Sequence, residues 1–295
     1  MTKPIPGAHP NPSKPRLAAP PRSCDSHMHI FGPKSRYPYD PGRNYTPPDA
    51  LLPTYLALVE KLGIERAVFI QPSVYGTDNS CHFDAMQAMG LHRARGVAVI
   101  PPEIDSRELL RLHDGGFRGA RFNVVHTGGS TPLDRLEALG RRVAEVGWHI
   151  QVFMRGTRLP EIADKLMALP GDFVIDHLGN MDYHQGIDQE GFVVLRRLLA
   201  SGKCWVKLSG AYRFDLDGPP YGKAIPFARA LVETNPERLV WATDWPHPDI
   251  PSPDPARNGP MPDDAILLDA LLDWVPDERT RQRILVDNPQ KLYGF

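Results

Sequence analysis

Three histidines and an aspartate carry the clearest chemical signal in the chain. His27 and His29 stand two apart in the run Ser23 to Ile30, which reads as a β-strand. Side chains at i and i+2 of a strand share a face, so both imidazoles reach one cavity and can share one cation or one substrate. Zinc and similar divalent ions favour imidazole and carboxylate ligands in this arrangement. Alone, a His-x-His pair is as readily coincidence as a ligand pair. It gains weight from His177, in VIDHLGN at the end of a later apolar run, and from Asp244, in WATDWPH at the end of another. A carboxylate at an apolar strand end is partly desolvated, which suits a general base that takes a proton from water. The competing roles are a buried histidine bonded to backbone for His177 and a turn cap for Asp244. Asp176 is expected on the opposite face from His177, holding a helix N-terminus. His247, in the loop after Asp244, is a further candidate, with a surface loop position as its alternative.

These residues need a scaffold that brings them together. Short apolar, β-branched runs alternate with helical patterns, the rhythm of βα units and a parallel sheet. The strands read as Ser23 to Ile30, Arg66 to Gln71, Gly96 to Ile100, Gly119 to Val125, Trp148 to Met154, Asp172 to His177, Cys204 to Ser209 and Leu239 to Thr243. Helical spacing runs through Leu51 to Leu62, Asp84 to Arg93, Ser106 to His113, Leu133 to Val146, Leu159 to Leu169, Gln189 to Leu199, Ala224 to Thr234 and Asp264 to Leu272. Eight such units predict an α/β fold of one domain, a single (β/α)8 TIM barrel over residues 23–295. The open doubly wound sheet is the alternative; the lack of GxGxxG or a P-loop after the first strand removes the usual reason to prefer it. Residues 1–22 read as a Pro-rich arm, either a loose tail or a strap packed across the barrel or onto a second subunit, which leaves a homo-oligomer open.

In a TIM barrel the active site lies where strands end and βα loops begin. Beside His27, His29, His177 and Asp244, the residues at those ends are Gln71, Ser73, Arg121, Asn123, Arg155 and the stretch Ser209 to Arg213. Arginines collected at a barrel mouth are costly unless an anion neutralises them. Guanidinium groups bind carboxylate or sulfonate in a forked geometry, so Arg121, Arg155 and Arg213 predict an acidic substrate; ion pairing within the fold is the alternative for each. Gln71, Ser73, Asn123 and His247 join them as substrate-binding candidates. Arg118 falls on the other pleat. Cys204 starts its strand, the wrong end for a nucleophile, and without GxSxG a serine mechanism is not indicated.

The bulk properties agree. The chain has 295 residues, is 41% hydrophobic and carries a net charge of −1, so neither nucleic acid nor a membrane surface is expected as a partner bound by bulk charge. No apolar run reaches the length of a membrane span, and the N-terminal arm lacks a signal-peptide core. Three cysteines, Cys24, Cys81 and Cys204, argue against a disulfide framework and for a cytoplasmic location. The loop Pro246 to Pro262 is long and Pro-rich, where an active-site loop would follow the eighth strand.

Taken together, DSHMHIFGP (25–33), GARFN (119–123), VIDHLGN (174–180), KLSGAYR (207–213) and ATDWPHP (242–248) resemble the amidohydrolase-2 family of the amidohydrolase superfamily, over nearly the whole chain from Cys24 to Phe295. The resemblance implies a (β/α)8 barrel acting on a lactone or related acid, of pyrone-dicarboxylate or sulfomuconolactone type, in aromatic-compound catabolism. It implies a catalytic cluster of His27, His29, His177 and Asp244, with Arg121 and Arg213 on substrate acid groups. The same four residues would hold one zinc or manganese ion, or none, since members differ in their need for metal; GARFN offers no lysine for a binuclear site. His126 and Thr127 stand where a further basic residue is usual, and Phe153 where a tyrosine is. Both favour a lactone with a sulfonate or a single carboxylate over a pyrone dicarboxylate. Lactone isomerisation, decarboxylation on the same site and a non-catalytic acid-binding barrel are the alternatives.

Overall fold

The computed structural model describes residues 3–101, 103–123, 133–213, 215, 217–248 and 261–295. Eight strands form one sheet: β1 (Cys24–Met28), β2 (Arg66–Ile70), β3 (Ala94–Ala98), β4 (Phe117–Asn123), β5 (His149–Phe153), β6 (Phe173–Ile175), β7 (Cys204–Leu208) and β8 (Leu239–Trp241). Neighbours in sequence are neighbours in the sheet, and every pair is parallel. Between them lie α1 (Leu52–Leu62), α2 (Ser80–Met89), α3 (Ser106–Asp114), α4 (Leu136–Ala144), α5 (Leu159–Ala168), α6 (Glu190–Ala200) and α7 (Ile225–Thr234), and α8 (Asp264–Trp274) follows β8. This is the (β/α)8 barrel the strand rhythm predicts.

Alternation along the strands divides the core in two. Side chains such as Phe69, Phe122, Ile150, Val206 and Trp241 point outward and pack with the helices in the main apolar cluster. Inward-facing Val68, Ile70 and Val97 form a small cluster with Cys24 and Tyr293; Val174, Trp205 and Val240 form another, and Leu292 touches both. Leu292 and Tyr293 belong to the C-terminal helix Asn288–Tyr293, which therefore plugs the N-terminal end of the barrel. Above that apolar floor the inward positions turn polar: His149, Gln151 and Lys207 are all buried. The barrel is a packed core whose chemistry is confined to its upper layers.

Helix boundaries follow local chemistry. Asp105 caps α3 by accepting from the Glu108 backbone N–H at 2.8 Å, and Gly63 (φ 72°) ends α1 in the left-handed region that glycine tolerates. The N-terminal arm lies over α8. Lys3–Pro4 pairs in parallel with Tyr45–Thr46. The Ser13 N–H donates to the Asp263 carboxylate, and the Arg16 and Leu17 N–H groups donate to Asp269 Oδ1 at 2.8 and 2.9 Å. Among the described residues no helix is long and apolar enough to cross a membrane.

Candidate active site

The barrel closes through the residues of the site itself. Just past the end of β8 the chain joins the end of β1 by two backbone hydrogen bonds: the Asp244 N–H donates to the His27 carbonyl and the His29 N–H to the Trp245 carbonyl, both at 2.8 Å. Asp25 fastens this seam from below. Its Oδ1 accepts from the backbone N–H groups of His27 (3.1 Å) and Thr243 (3.0 Å). Its Oδ2 accepts from the hydroxyls of Thr243 (2.5 Å) and Tyr55 (2.9 Å). Burial pushes the Asp25 carboxyl up to about 6, against those donors. Closure thus forces the Asp244 side chain into register with the His-x-His pair.

Around Asp244 Oδ1 stand His27 Nε2 at 3.5 Å, His29 Nε2 at 3.6 Å and His177 Nε2 at 3.7 Å. All four side chains are buried. His27 Nε2, His177 Nε2 and Asp244 Oδ1 make no hydrogen bond. The ligand atoms of His27, His177 and Asp244 lie within 4.8 Å of one another. Buried polar atoms without a partner are rare in folded proteins, and three aimed at one point suit a divalent ion or a water. Each imidazole is held from behind. His29 Nδ1 donates to the Ile70 carbonyl at 2.5 Å, His177 Nδ1 lies 2.8 Å from Ser209 Oγ, and His27 Nδ1 lies 3.1 Å from Lys207 Nζ. Gly210 (φ 69°) lets this happen: a Cβ there would sit 2.9 Å from His177 Cβ.

His177 (φ 51°), Asp244 (φ 66°) and His247 (φ 64°) all occupy the left-handed region. Non-glycine residues held there cost about 1–3 kcal/mol each and cluster at functional sites. Burial drives the His27 imidazole well below its usual range, with the Lys207 charge adding to the effect, lowers His29, and brings His177 down to about 4. These rings are therefore neutral near pH 7. Burial raises the Asp244 carboxyl, but the Arg213 guanidinium beside it outweighs this and holds the group well below the usual carboxylate range. Asp244 Oδ2 accepts from the Tyr212 hydroxyl and from Arg213, whose Nε is 3.2 Å away.

A second polar layer lies beneath the imidazoles. Lys207 Nζ donates to Gln151 Oε1 (2.9 Å), Gln151 Nε2 donates to Asp176 Oδ2 (3.1 Å), and Asp176 Oδ1 lies 3.4 Å from both Lys207 Nζ and His27 Nδ1. Burial lowers Lys207 to about 8 even with Asp176 beside it. Burial also raises Asp176, yet Lys207 and His27 together carry it well below the carboxylate range. This overturns the expectation that Asp176 faces away. β6 ends at Ile175, so the inward line is Val174 then Asp176, and His177 reaches the mouth only because the backbone turns at its positive φ. Lys207 was not among the expected site residues, although a lysine inside the apolar run CWVKLS is a signal in itself. Asp25 and His82 were likewise missed, while Tyr212 lies in the expected stretch Ser209 to Arg213 without a role of its own having been read for it.

The candidate substrate residues divide. Arg121 is buried; its Nη1 donates to the Gln71 carbonyl at 3.1 Å, its Nη2 lies 3.7 Å from Asp176, and its Nε is without a partner. Phe153 packs edge-on to His177 and lies under both Arg121 and Arg213. His247 sits against Tyr212 and is held by Asp264 at 3.1 Å. The Gln71 side chain is spent on its own loop instead: Nε2 donates to the Asp78 carbonyl at 2.7 Å, and Oε1 accepts from His82 Nδ1 at 2.8 Å. Arg155 is exposed to solvent, because the chain leaves β5 two residues earlier. Ser73 is buried in the turn after β2. The Asn123 backbone ends β4, while His126, Thr127 and most of the loop Pro246 to Pro262 lie outside the described residues. Lys207, Arg121 and Arg213 stand beside the carboxylates Asp176 and Asp244, so the mouth and the layer below it are densely charged.

A barrel with a His-x-His pair on its first strand, a histidine after the sixth and an aspartate after the eighth defines an amidohydrolase-type site. The amidohydrolase model Amidohydro_2 matches residues 24–295, and the chain belongs to this family. It is 39% identical to a 2-pyrone-4,6-dicarbaxylate hydrolase of Comamonas testosteroni, over 96% of this chain and 93% of that one. It is equally 39% identical to a 4-sulfomuconolactone hydrolase of Rhizobium radiobacter, over 94% and 92%. A crystal structure of an Agrobacterium tumefaciens protein in apo form superposes with a TM-score of 0.84 at 30% identity, covering 96% and 97% of the two chains.

Proposed function

We propose that this protein hydrolyses a small anionic lactone, with Asp244 as general base. The observation that carries this reading is the convergence of Asp244 Oδ1 with three imidazole nitrogens on one buried point. Two guanidinium groups, Arg121 and Arg213, beside the centre favour an acidic substrate, and the named substrates of both hydrolase relatives are acids. Arg121 and Arg213 are the residues that would grip its carboxylate or sulfonate and orient the ring.

The reaction runs as follows in this proposal. A water beside Asp244 Oδ1 loses a proton to that carboxylate while its oxygen bonds to the lactone carbonyl carbon. The carbonyl π electrons move to oxygen, and hydrogen-bond donors of the imidazole cluster stabilise the oxyanion. Collapse of the adduct breaks the ring C–O bond, and Asp244 returns its proton to the departing oxygen. Asp244 is a weak base while Arg213 holds it. A substrate acid group that draws Arg213 toward itself restores basicity at the moment it is needed. Were a zinc or manganese ion to bind, it would have to draw on His27, His29, His177 and Asp244, and it would supply a water of lowered pKa and a polarised carbonyl. Three buried free cysteines suit a reducing compartment, and we place the reaction in the cytoplasmic breakdown of aromatic compounds.

The test is a panel of carboxylated, sulfonated and neutral lactones assayed with and without chelator, with products identified. Ring opening that releases one new carboxylic acid per acidic lactone consumed supports the proposal. An isomerised lactone, carbon dioxide release, or binding without product overturns it.

A further inference from the structure

Lys207 sits under the site with a geometry that constrains the proton on His27. An ammonium group has three N–H donors and no acceptor. A neutral imidazole has one N–H and one lone pair, so a ring nitrogen facing an ammonium must present its lone pair. His27 Nδ1 faces Lys207 Nζ at 3.1 Å. Asp176 Oδ1, the other group near that nitrogen at 3.4 Å, makes no hydrogen bond. Lys207 is itself fixed by Gln151 Oε1 at 2.9 Å, and Gln151 is fixed by Asp176, so the ammonium cannot turn away without breaking a buried chain of bonds.

We infer that Lys207 is a positioning residue that sets His27 as the Nε2–H tautomer, making this imidazole a hydrogen-bond donor at the centre of the site and opposing its use as a metal ligand. The inference rests on the reading of this cluster as the catalytic centre. His29 shows the contrast. Its Nδ1 donates to the Ile70 carbonyl, so its Nε2 presents a lone pair. The two imidazoles of the His-x-His pair thus carry opposite polarity toward the same carboxylate oxygen. A metal ion requires lone pairs from both. A water fits the mixed set: it accepts from His27 Nε2–H and donates to His29 Nε2 and Asp244 Oδ1. That placement aims one water proton at the base and leaves the oxygen oriented by His27.

The experiment reads the tautomer directly. Long-range 1H–15N correlation spectra of the metal-free full-length protein, labelled on histidine, report which ring nitrogen of His27 is protonated; the His27→Gln spectrum assigns the signal. The expected wild-type result is Nε2–H. In Lys207→Met, His27 is expected to move its proton to Nδ1, toward Asp176, and Zn2+ titration should show affinity raised by roughly tenfold or more, the scale on which groups behind metal ligands act. A wild-type His27 protonated at Nδ1 overturns the inference. So does a folded Lys207→Met protein with unchanged tautomer and unchanged Zn2+ affinity. If Lys207→Met does not fold, the wild-type spectrum decides alone. Neither measurement uses a substrate, so a failure of the lactone panel and a failure of the tautomer are separate results.

Discussion

Acid should unfold this protein in a way that one interior histidine makes measurable. His149 opens β5 inside the barrel, buried beneath the catalytic layer. Its Nε2 has no hydrogen-bond partner, and the Tyr293 ring of the plugging helix lies 5.5 Å away. Burial, with the Lys207 charge adding, lowers its pKa from 6.5 to about 3. The folded protein therefore keeps His149 neutral where the unfolded chain protonates it. Its contribution to stability is complete above the unfolded value near 6.5 and is lost as pH falls toward 3. Within that window the loss approaches about 1.4 kcal/mol per pH unit for one proton. From pH 6.5 to 4.5 the single histidine accounts for roughly 2–3 kcal/mol, a large part of a typical stability of about 5–15 kcal/mol. Urea unfolding followed by tryptophan fluorescence at several pH values measures it. Wild type should lose stability steeply across the window, with His27, His29, His82 and His177 adding to the slope. His149→Gln, whatever its stability at pH 7, should lose about one proton's worth of that slope. Parallel pH dependences for the two proteins would refute the reasoning.

Three further outcomes follow from the geometry. Gly210→Ala places a methyl 2.9 Å from His177 Cβ at a positive φ, so kcat should fall by about 10²-fold, the scale of a misplaced catalytic group, with the circular dichroism spectrum retained. Asp25→Asn turns an acceptor of the Thr243 and Tyr55 hydroxyls into a donor and should cost about 2–4 kcal/mol in urea unfolding at pH 7. Arg155→Ala, a change at an exposed side chain, should leave kcat and KM within about twofold of wild type; a KM raised tenfold would return Arg155 to the substrate site.

The barrel was legible because eight β-branched runs alternate with helices at the family's spacing, and each observed strand lies within about two residues of its expected position. Helix α2 was misplaced: it spans Ser80–Met89 rather than Asp84 to Arg93, since Gly90 (φ 91°) ends it early. The mouth histidines and Asp244 were legible as polar residues at strand ends. The layer below was not. Period-two alternation, extended past the true end of β6, sent Asp176 to the wrong face, and the Asp176–Lys207 pair joins residues from two strands whose facing depends on register. The Gln71 side chain holds the following loop in this structure, a role that a glutamine at a strand end fills as readily as substrate binding. Arg213 shows the limit from the other side. Of the two roles its chemistry left open, a substrate acid or an ion pair within the fold, this structure shows the ion pair, with Asp244. The Pro-rich arm is fastened through Asp263 and Asp269, a contact between residues some 250 positions apart that no local pattern encodes.

Asp244 is the residue on which the account turns, and Asp244→Asn tests it most directly. The substitution keeps the side-chain shape and removes the base. Steady-state turnover of an acidic lactone that wild type opens should fall by at least about 10³-fold, in the upper range of what a general base contributes, with the thermal unfolding transition still cooperative. A folded Asp244→Asn protein that turns over within tenfold of wild type would contradict the account.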